Sequence, residues 1–252
     1  MSLLQKLGIV GVWTQGRAVP VGTNASHMAR THGTPAGFAA LNPQRGGEAQ
    51  QIARVSNGLK ELLWNLDGIG RGTLLDLGPA WQTTLSFFIE RGFRVSSEDL
   101  LRAWKEFLAG EEKILQGVAG GTLESVDMTA EGRAVRFLES NLQYRAGSFD
   151  AILLWDLLDY LEPVLARRVV SSLTDLLRPG GAVFAMFHSR KPEHFQRYRI
   201  ADSMTLQMLP AKEDLPAQRT YQNREIQDLF RGYRTTKSFV SRDQLREVLF
   251  IK

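Results

Sequence analysis

Two short stretches place proton-handling side chains directly after apolar runs. Asp156, Asp159 and Tyr160 follow Ala151-Ile-Leu-Leu-Trp155, and His188 follows Ala182-Val-Phe-Ala-Met-Phe187. A carboxylate or an imidazole held at a strand end can take a proton from a bound nucleophile, and imidazole does so near neutral pH. Taken singly, each residue has a plainer role: Asp159 as a helix cap, Tyr160 as a half-buried aromatic, His188 as a turn residue bonded to backbone. As a group they mark a catalytic site to look for. Cysteine is absent, which excludes disulfides, thiolate zinc and cysteine nucleophiles. His27 and His32 stand five apart without a nearby carboxylate, a poor pattern for a metal, and no metal site is expected.

The elements that must position these residues follow from periodicity. Thr73-Leu-Leu-Asp-Leu77, Phe93-Arg-Val-Ser-Ser97, Ala151–Trp155 and Ala182–Phe187 read as strands. Helical patterns over Gln82 to Glu90, Leu100 to Leu108 and Pro163 to Leu177 separate them. That alternation predicts a doubly wound α/β sheet, mostly parallel and covered on both faces. Ile52, Val55, Leu59, Leu62, Leu63 and Leu66 recur at helical spacing and predict one helix ahead of the sheet. Ala134-Val-Arg-Phe-Leu138 fits either a third strand or the end of a helix. Arg199 to Leu206 reads as a strand, Asn223 as the cap of a helix through Phe230, and Leu245 to Ile251 as a final strand.

Four blocks stand in an order and spacing that resembles the class I S-adenosylmethionine-dependent methyltransferase family, covering roughly Leu74 to Phe187. Leu74-Leu-Asp-Leu-Gly-Pro-Ala-Trp-Gln82 is similar to the family's acidic residue and glycine-rich turn after the first strand. Such a turn lets backbone and ligand approach closely. Arg91 to Asp99 resembles the second strand and its terminal acid, with Glu98 as the neighbouring alternative. Gly147 to Leu161 resembles the fourth strand and the loop after it. Leu176-Leu-Arg-Pro-Gly-Gly-Ala-Val-Phe184 resembles the turn into the fifth.

The resemblance implies a Rossmann-like, three-layer α/β/α sheet with an antiparallel C-terminal strand, and S-adenosylmethionine as cofactor. It assigns the cofactor to Asp76, Gly78, Ala80, Asp99, Asn141, Leu142 and Trp155, with Asp99 on the ribose hydroxyls and Asn141 and Leu142 at adenine. Asp76 supports the turn and does no chemistry. It implies a methyl acceptor, unidentified, over the ends of the fourth and fifth strands, with Asp159, Tyr160 and His188 as catalytic candidates. Residues 190–218 are expected to form part of a lid. Ala80 and Gln82 stand where the family has its second and third glycines, and this departure favours a rival reading, a catalytically silent methyltransferase-like binding or scaffold protein. A nicotinamide-dependent oxidoreductase is disfavoured, because no Gly-x-Gly-x-x-Gly series follows Gly78.

The rest of the composition bounds the setting. The 252 residues are 43% hydrophobic and 23% charged, enough for one α/β domain and an extension. Residues 1–45, rich in Gly, Pro, Thr and Ala beyond Gly16, read as an irregular N-terminal extension, and residues 46–252 as the methyltransferase-like domain. Residues 1–57 carry five cations, Arg54 among them, against Glu48; the net +4 equals that of the whole chain. That charge suits a weak contact with an anionic partner, although a wrapping arm is the plainer reading. No apolar run reaches the roughly 18 to 20 residues of a membrane span, and the chain is expected to be cytoplasmic.

Overall fold

In the computed structural model, residues 52–117, 127–211, 215–241 and 243–252 are described. The expected extension at 1–45, with His27 and His32, lies outside them. The chain runs β1 (Ile52–Val55), α1 (Asn57–Asn65), β2 (Thr73–Asp76), α2 (Gln82–Ile89), β3 (Arg94–Ser97), α3 (Leu100–Gly117) and α4 (Ala130–Asn141). It continues through β4 (Phe149–Trp155), a 3-10 turn (Leu157–Tyr160), α5 (Pro163–Leu176), β5 (Leu177–His188), β6 (Gln196–Ile200) and β7 (Thr205–Pro210). It ends with α6 (Asn223–Leu229), β8 (Thr235–Val240) and β9 (Leu245–Ile251).

Six strands form one sheet in the order β3-β2-β4-β5-β9-β8. β3, β2, β4 and β5 are parallel, and β9 runs antiparallel to both β5 and β8. The apolar runs are continuous because both faces are covered. Leu75, Ile152, Leu154, Val183 and Phe187 belong to one buried cluster, whereas their alternating neighbours Leu74, Ala151, Leu153, Ala182 and Phe184 belong to another. α5 feeds the first cluster through Leu165, Val169, Leu173 and Leu176, and α1 the second through Leu59, Leu62 and Leu66. Three layers result, as expected.

Three local expectations are corrected and one open choice is settled. Ile52–Val55 is strand β1, paired antiparallel with β7, and the helix starts only at Asn57. The Ser56 side chain accepts the Leu59 N–H at 2.9 Å and fixes that boundary. Arg199 to Leu206 is not one strand but spans the turn of a β6–β7 hairpin, which with β1 makes a second, three-stranded sheet. Ala134–Leu138 lies inside α4. Gln222, not Asn223, caps α6, exchanging hydrogen bonds with Glu225 in a capping box.

β1 also removes a charge from the expected basic arm. Arg54 is buried and ion-pairs with Glu247 at 2.9 Å and Asp243 at 3.1 Å. Glu247 Oε2 accepts the Gly58 N–H at 2.6 Å, and a Cβ at Gly58 would lie 2.6 Å from Phe184 and 2.9 Å from Glu247. Arg54 is thus spent on joining the small sheet to β9 and is closed to an external anion. Among the described residues, no helix is long and apolar enough to cross a membrane, and no three His, Asp or Glu side chains gather as a metal would need.

Candidate functional site

The parallel strands open at their C-terminal ends between β2, β3 and β4, where a doubly wound sheet binds ligands. Asp76 closes β2 and is buried. Its Oδ1 accepts the Gly78 N–H at 3.0 Å and the Trp155 indole N–H at 2.7 Å, and its Oδ2 is buried without a hydrogen-bond partner. Burial pushes the carboxyl up to about 6 against the lowering effect of those two bonds. Trp155 reaches it only because β4 ends in a left-handed residue, φ +54°. For a bulky side chain that conformation costs about 1 to 2 kcal/mol, which the bond to a buried carboxylate offsets. The indole then lies against Gly78, where a Cβ would come within 2.7 Å of its nitrogen. Gly78 is required here by Trp155 itself.

Asp99 follows β3 and is half-buried beside this turn. Its Oδ1 accepts the Arg102 N–H at 3.2 Å and pairs with Arg197 of β6 at 3.1 Å. The alternative acid Glu98 is engaged elsewhere, accepting the Tyr144 hydroxyl at 2.7 Å. Ala80 is exposed on the turn into α2. Asn141 ends α4 with its amide donating to the Phe137 carbonyl at 2.8 Å, and Leu142 is buried in the core. Asp76, Gly78, Trp155 and Asp99 therefore gather at one strand-end cleft, while the side-chain amide of Asn141 is turned back on its own helix.

The cleft is occupied by the protein's own strand. Leu77, Gly78, Trp155, Asp156, Arg197 and Tyr198 are among the residues around a residual cavity of about 20 Å³, against roughly 300 to 1,000 Å³ for ordinary small-molecule sites. Tyr198 stacks on Trp155 with centroids 6.1 Å apart, and Phe195 packs edge-on against Tyr160 at 4.8 Å. The Ile200 N–H donates to Thr84 Oγ1 of α2 at 3.0 Å. Sequence reasoning placed a lid in this region but missed Phe195, Arg197 and Tyr198 individually. Their only local signal is the alternation through Gln196-Arg-Tyr-Arg-Ile200.

On the other side of β6 the catalytic candidates do meet. Asp159 Oδ2 accepts the His188 backbone N–H at 2.8 Å and lies 2.9 Å from His188 Nδ1. Asp156 Oδ2 is 3.8 Å from the same nitrogen. A carboxylate at that distance selects the Nδ1–H tautomer and leaves Nε2 to exchange a proton. Burial lowers the proton affinity of His188, but the Asp159 hydrogen bond and the Asp156, Asp159 and Asp243 charges outweigh it and raise the pKa. Burial raises Asp159, opposed by its bonds to His188, and drives Asp156 to about 7. Burial and the Asp156 charge lift the phenols of Tyr160 and Tyr198, both of which face this carboxylate. His188 lines a second cavity of about 440 Å³ with Arg190, His194, Gln196 and Tyr198. Gln196 and Tyr198 border both cavities, so β6 is the wall between them.

The strand order, its antiparallel β9 and the helices on both faces define a doubly wound, Rossmann-like α/β fold. No protein-family model and no curated protein matches the sequence. Among solved structures, the chain is similar to an S-adenosylmethionine-dependent methyltransferase from Mesorhizobium loti, at 15% identity and TM-score 0.41, over 76% of this chain and 96% of that one. A methyltransferase from Aquifex aeolicus matches at 12% identity and TM-score 0.37, over 76% and 88%. The 1,6-didemethyltoxoflavin-N1-methyltransferase of Burkholderia thailandensis, solved with 1,6-didemethyltoxoflavin and S-adenosylhomocysteine, matches at 15% and 0.38, over 78% of each chain. Likeness at this level assigns no activity to the chain.

Proposed function

We propose that the chain is an S-adenosylmethionine-dependent methyltransferase whose acceptor carries a removable proton and docks beside His188. The observation that carries the reading is the convergence of the Asp76–Gly78 turn and Asp99 on one strand-end cleft, with a His–Asp pair on its far side. The donor and acceptor set suits a nucleoside: Asp99 offers a carboxylate to ribose hydroxyls, and Asp76 holds the turn that faces it. The volume suits it only when β6 is displaced.

When bound, the cofactor supplies an electrophilic methyl group for in-line displacement, which demands positioning and dryness more than covalent help. The chain's own part is to hold the acceptor in the 440 Å³ cavity, take its proton on His188 Nε2 and keep the imidazole oriented through Asp159. Tyr160, edge-on to His188 at 6.5 Å, packs that ring in place.

The filled cleft favours a second reading, a catalytically silent methyltransferase-like protein. Calorimetric titration with S-adenosylmethionine, S-adenosylhomocysteine and NAD separates the two. Binding of both adenosyl compounds and not NAD is the expected result. Binding of none supports the silent reading, and binding of NAD alone overturns the assignment of the cleft.

A further inference from the structure

We propose that the N-terminal half of β6 is a displaceable plug in the cofactor cleft, in which Arg197 holds Asp99 in place of the ribose that the carboxylate is built to bind. The inference rests on the methyltransferase reading and deepens it by assigning a regulatory element to that site.

Three contacts, each from a different residue of one short segment, fill the cleft. Arg197 pairs with Asp99 at 3.1 Å and lies over the Phe195 ring at 4.8 Å. Tyr198 stacks nearly parallel on Trp155, with 9° between the planes. Phe195 abuts Tyr160. Asp99 and Trp155 are groups that the strand-end site would present to a ligand, so the plug and a nucleoside compete for the same surface. A cation on the carboxylate is the closest polar substitute for a hydroxyl pair, because it satisfies the same acceptor.

The segment has a natural hinge. β6 pairs with β7 along its whole length, from Gln196 with Pro210 to Ile200 with Leu206, and its far end is held further, by Ile200 donating to Thr84 and by β7 pairing with β1. Residues 189–194, before β6, are half-exposed or exposed. Release therefore opens the pairing of Gln196 to Tyr198 with Met208 to Pro210 and peels Phe195 to Tyr198 from the cleft, while Ile200 and the rest of the small sheet stay in place. Since Gln196 and Tyr198 also border the His188 cavity, the same movement joins the two cavities across which a methyl group must pass.

A plug of this kind lowers apparent affinity by the fraction of molecules that are open. The test compares the full chain with its Arg197→Ala and Arg197→Lys variants in titrations with S-adenosylhomocysteine, and follows amide hydrogen exchange of β6. Arg197→Ala is expected to tighten binding at least fivefold, with Arg197→Lys between it and the parent. In the parent, S-adenosylhomocysteine is expected to speed exchange at Gln196 to Tyr198 and leave Ile200 protected. Equal or weaker binding by Arg197→Ala, or ligand protection of the whole of β6, overturns the plug and leaves the methyltransferase reading standing. Failure of every form to bind overturns both.

Discussion

Replacing Asp76 by Asn tests the energetics of the turn at the heart of the cleft. Burial raises this carboxyl from 3.8 to about 6, so ionising it costs the folded state roughly 3 kcal/mol at about 1.4 kcal/mol per unit. Below 3.8 folded and unfolded chains are both protonated and the group contributes nothing. Between 3.8 and about 6 the unfolded chain releases the proton while the folded chain keeps it, so stability falls as pH rises. Above about 6 the penalty is complete. Asn cannot ionise, and its Oδ1 accepts the same N–H groups of Trp155 and Gly78. Its amide replaces an oxygen that already lacks a partner, an offset that does not change with pH. Urea unfolding followed by circular dichroism should show the variant gaining roughly 2 to 3 kcal/mol on the parent between pH 4 and pH 8. The comparison cancels the other buried acids, Asp156, Asp159 and Glu247. A difference that stays constant, or that moves against the variant as pH rises, would refute the burial argument.

Three further outcomes are expected. Gly78→Ala places a methyl 2.7 Å from the Trp155 nitrogen and should cost about 1 to 3 kcal/mol in thermal or urea unfolding; a neutral effect would mean that the indole is free to move. Arg54→Ala strands Glu247, 1% exposed, and should cost about 3 to 5 kcal/mol, most of it recovered by a paired Arg54→Met, Glu247→Leu replacement. With any acceptor found by screening, kcat/KM should rise with pH through a midpoint above 6.5, where the raised pKa of His188 lies. In the window below that midpoint the base is protonated and inactive, and a His188→Gln variant that kept the same rising limb would remove the imidazole from the reaction.

The central sheet was legible because strands buried on both faces must be apolar at every position, and Ile152 to Leu154 and Val183 to Phe187 are. β8 left no such trace. Its residues Thr235 to Ser238 are exposed and, among the described strands, it pairs only with β9, so an edge position demands little of the sequence. β1 was misread because Ile52 and Val55 happen to continue the helical spacing of α1, whereas both are exposed and Arg54 points inward. At the site, residue types marked His188, Asp159 and Asp99, but their partners are tertiary facts. Arg197 meets Asp99 across 98 positions, and no local propensity would turn a tryptophan left-handed at the end of β4. That conformation follows from Asp76, far away in sequence.

The wall that Gln196 and Tyr198 place between the two cavities has a kinetic consequence. While it stands, an acceptor lodged beside His188 is cut off from the nucleoside cleft, so productive encounters follow only after the cleft has been filled. On the proposed methyltransferase reading, the acceptor can then enter before or after the cofactor, and only the transfer step waits for the cleft to fill. An inert acceptor analogue would compete with the acceptor and, because the cavity beside His188 is open while the wall stands, would give mixed inhibition toward S-adenosylmethionine.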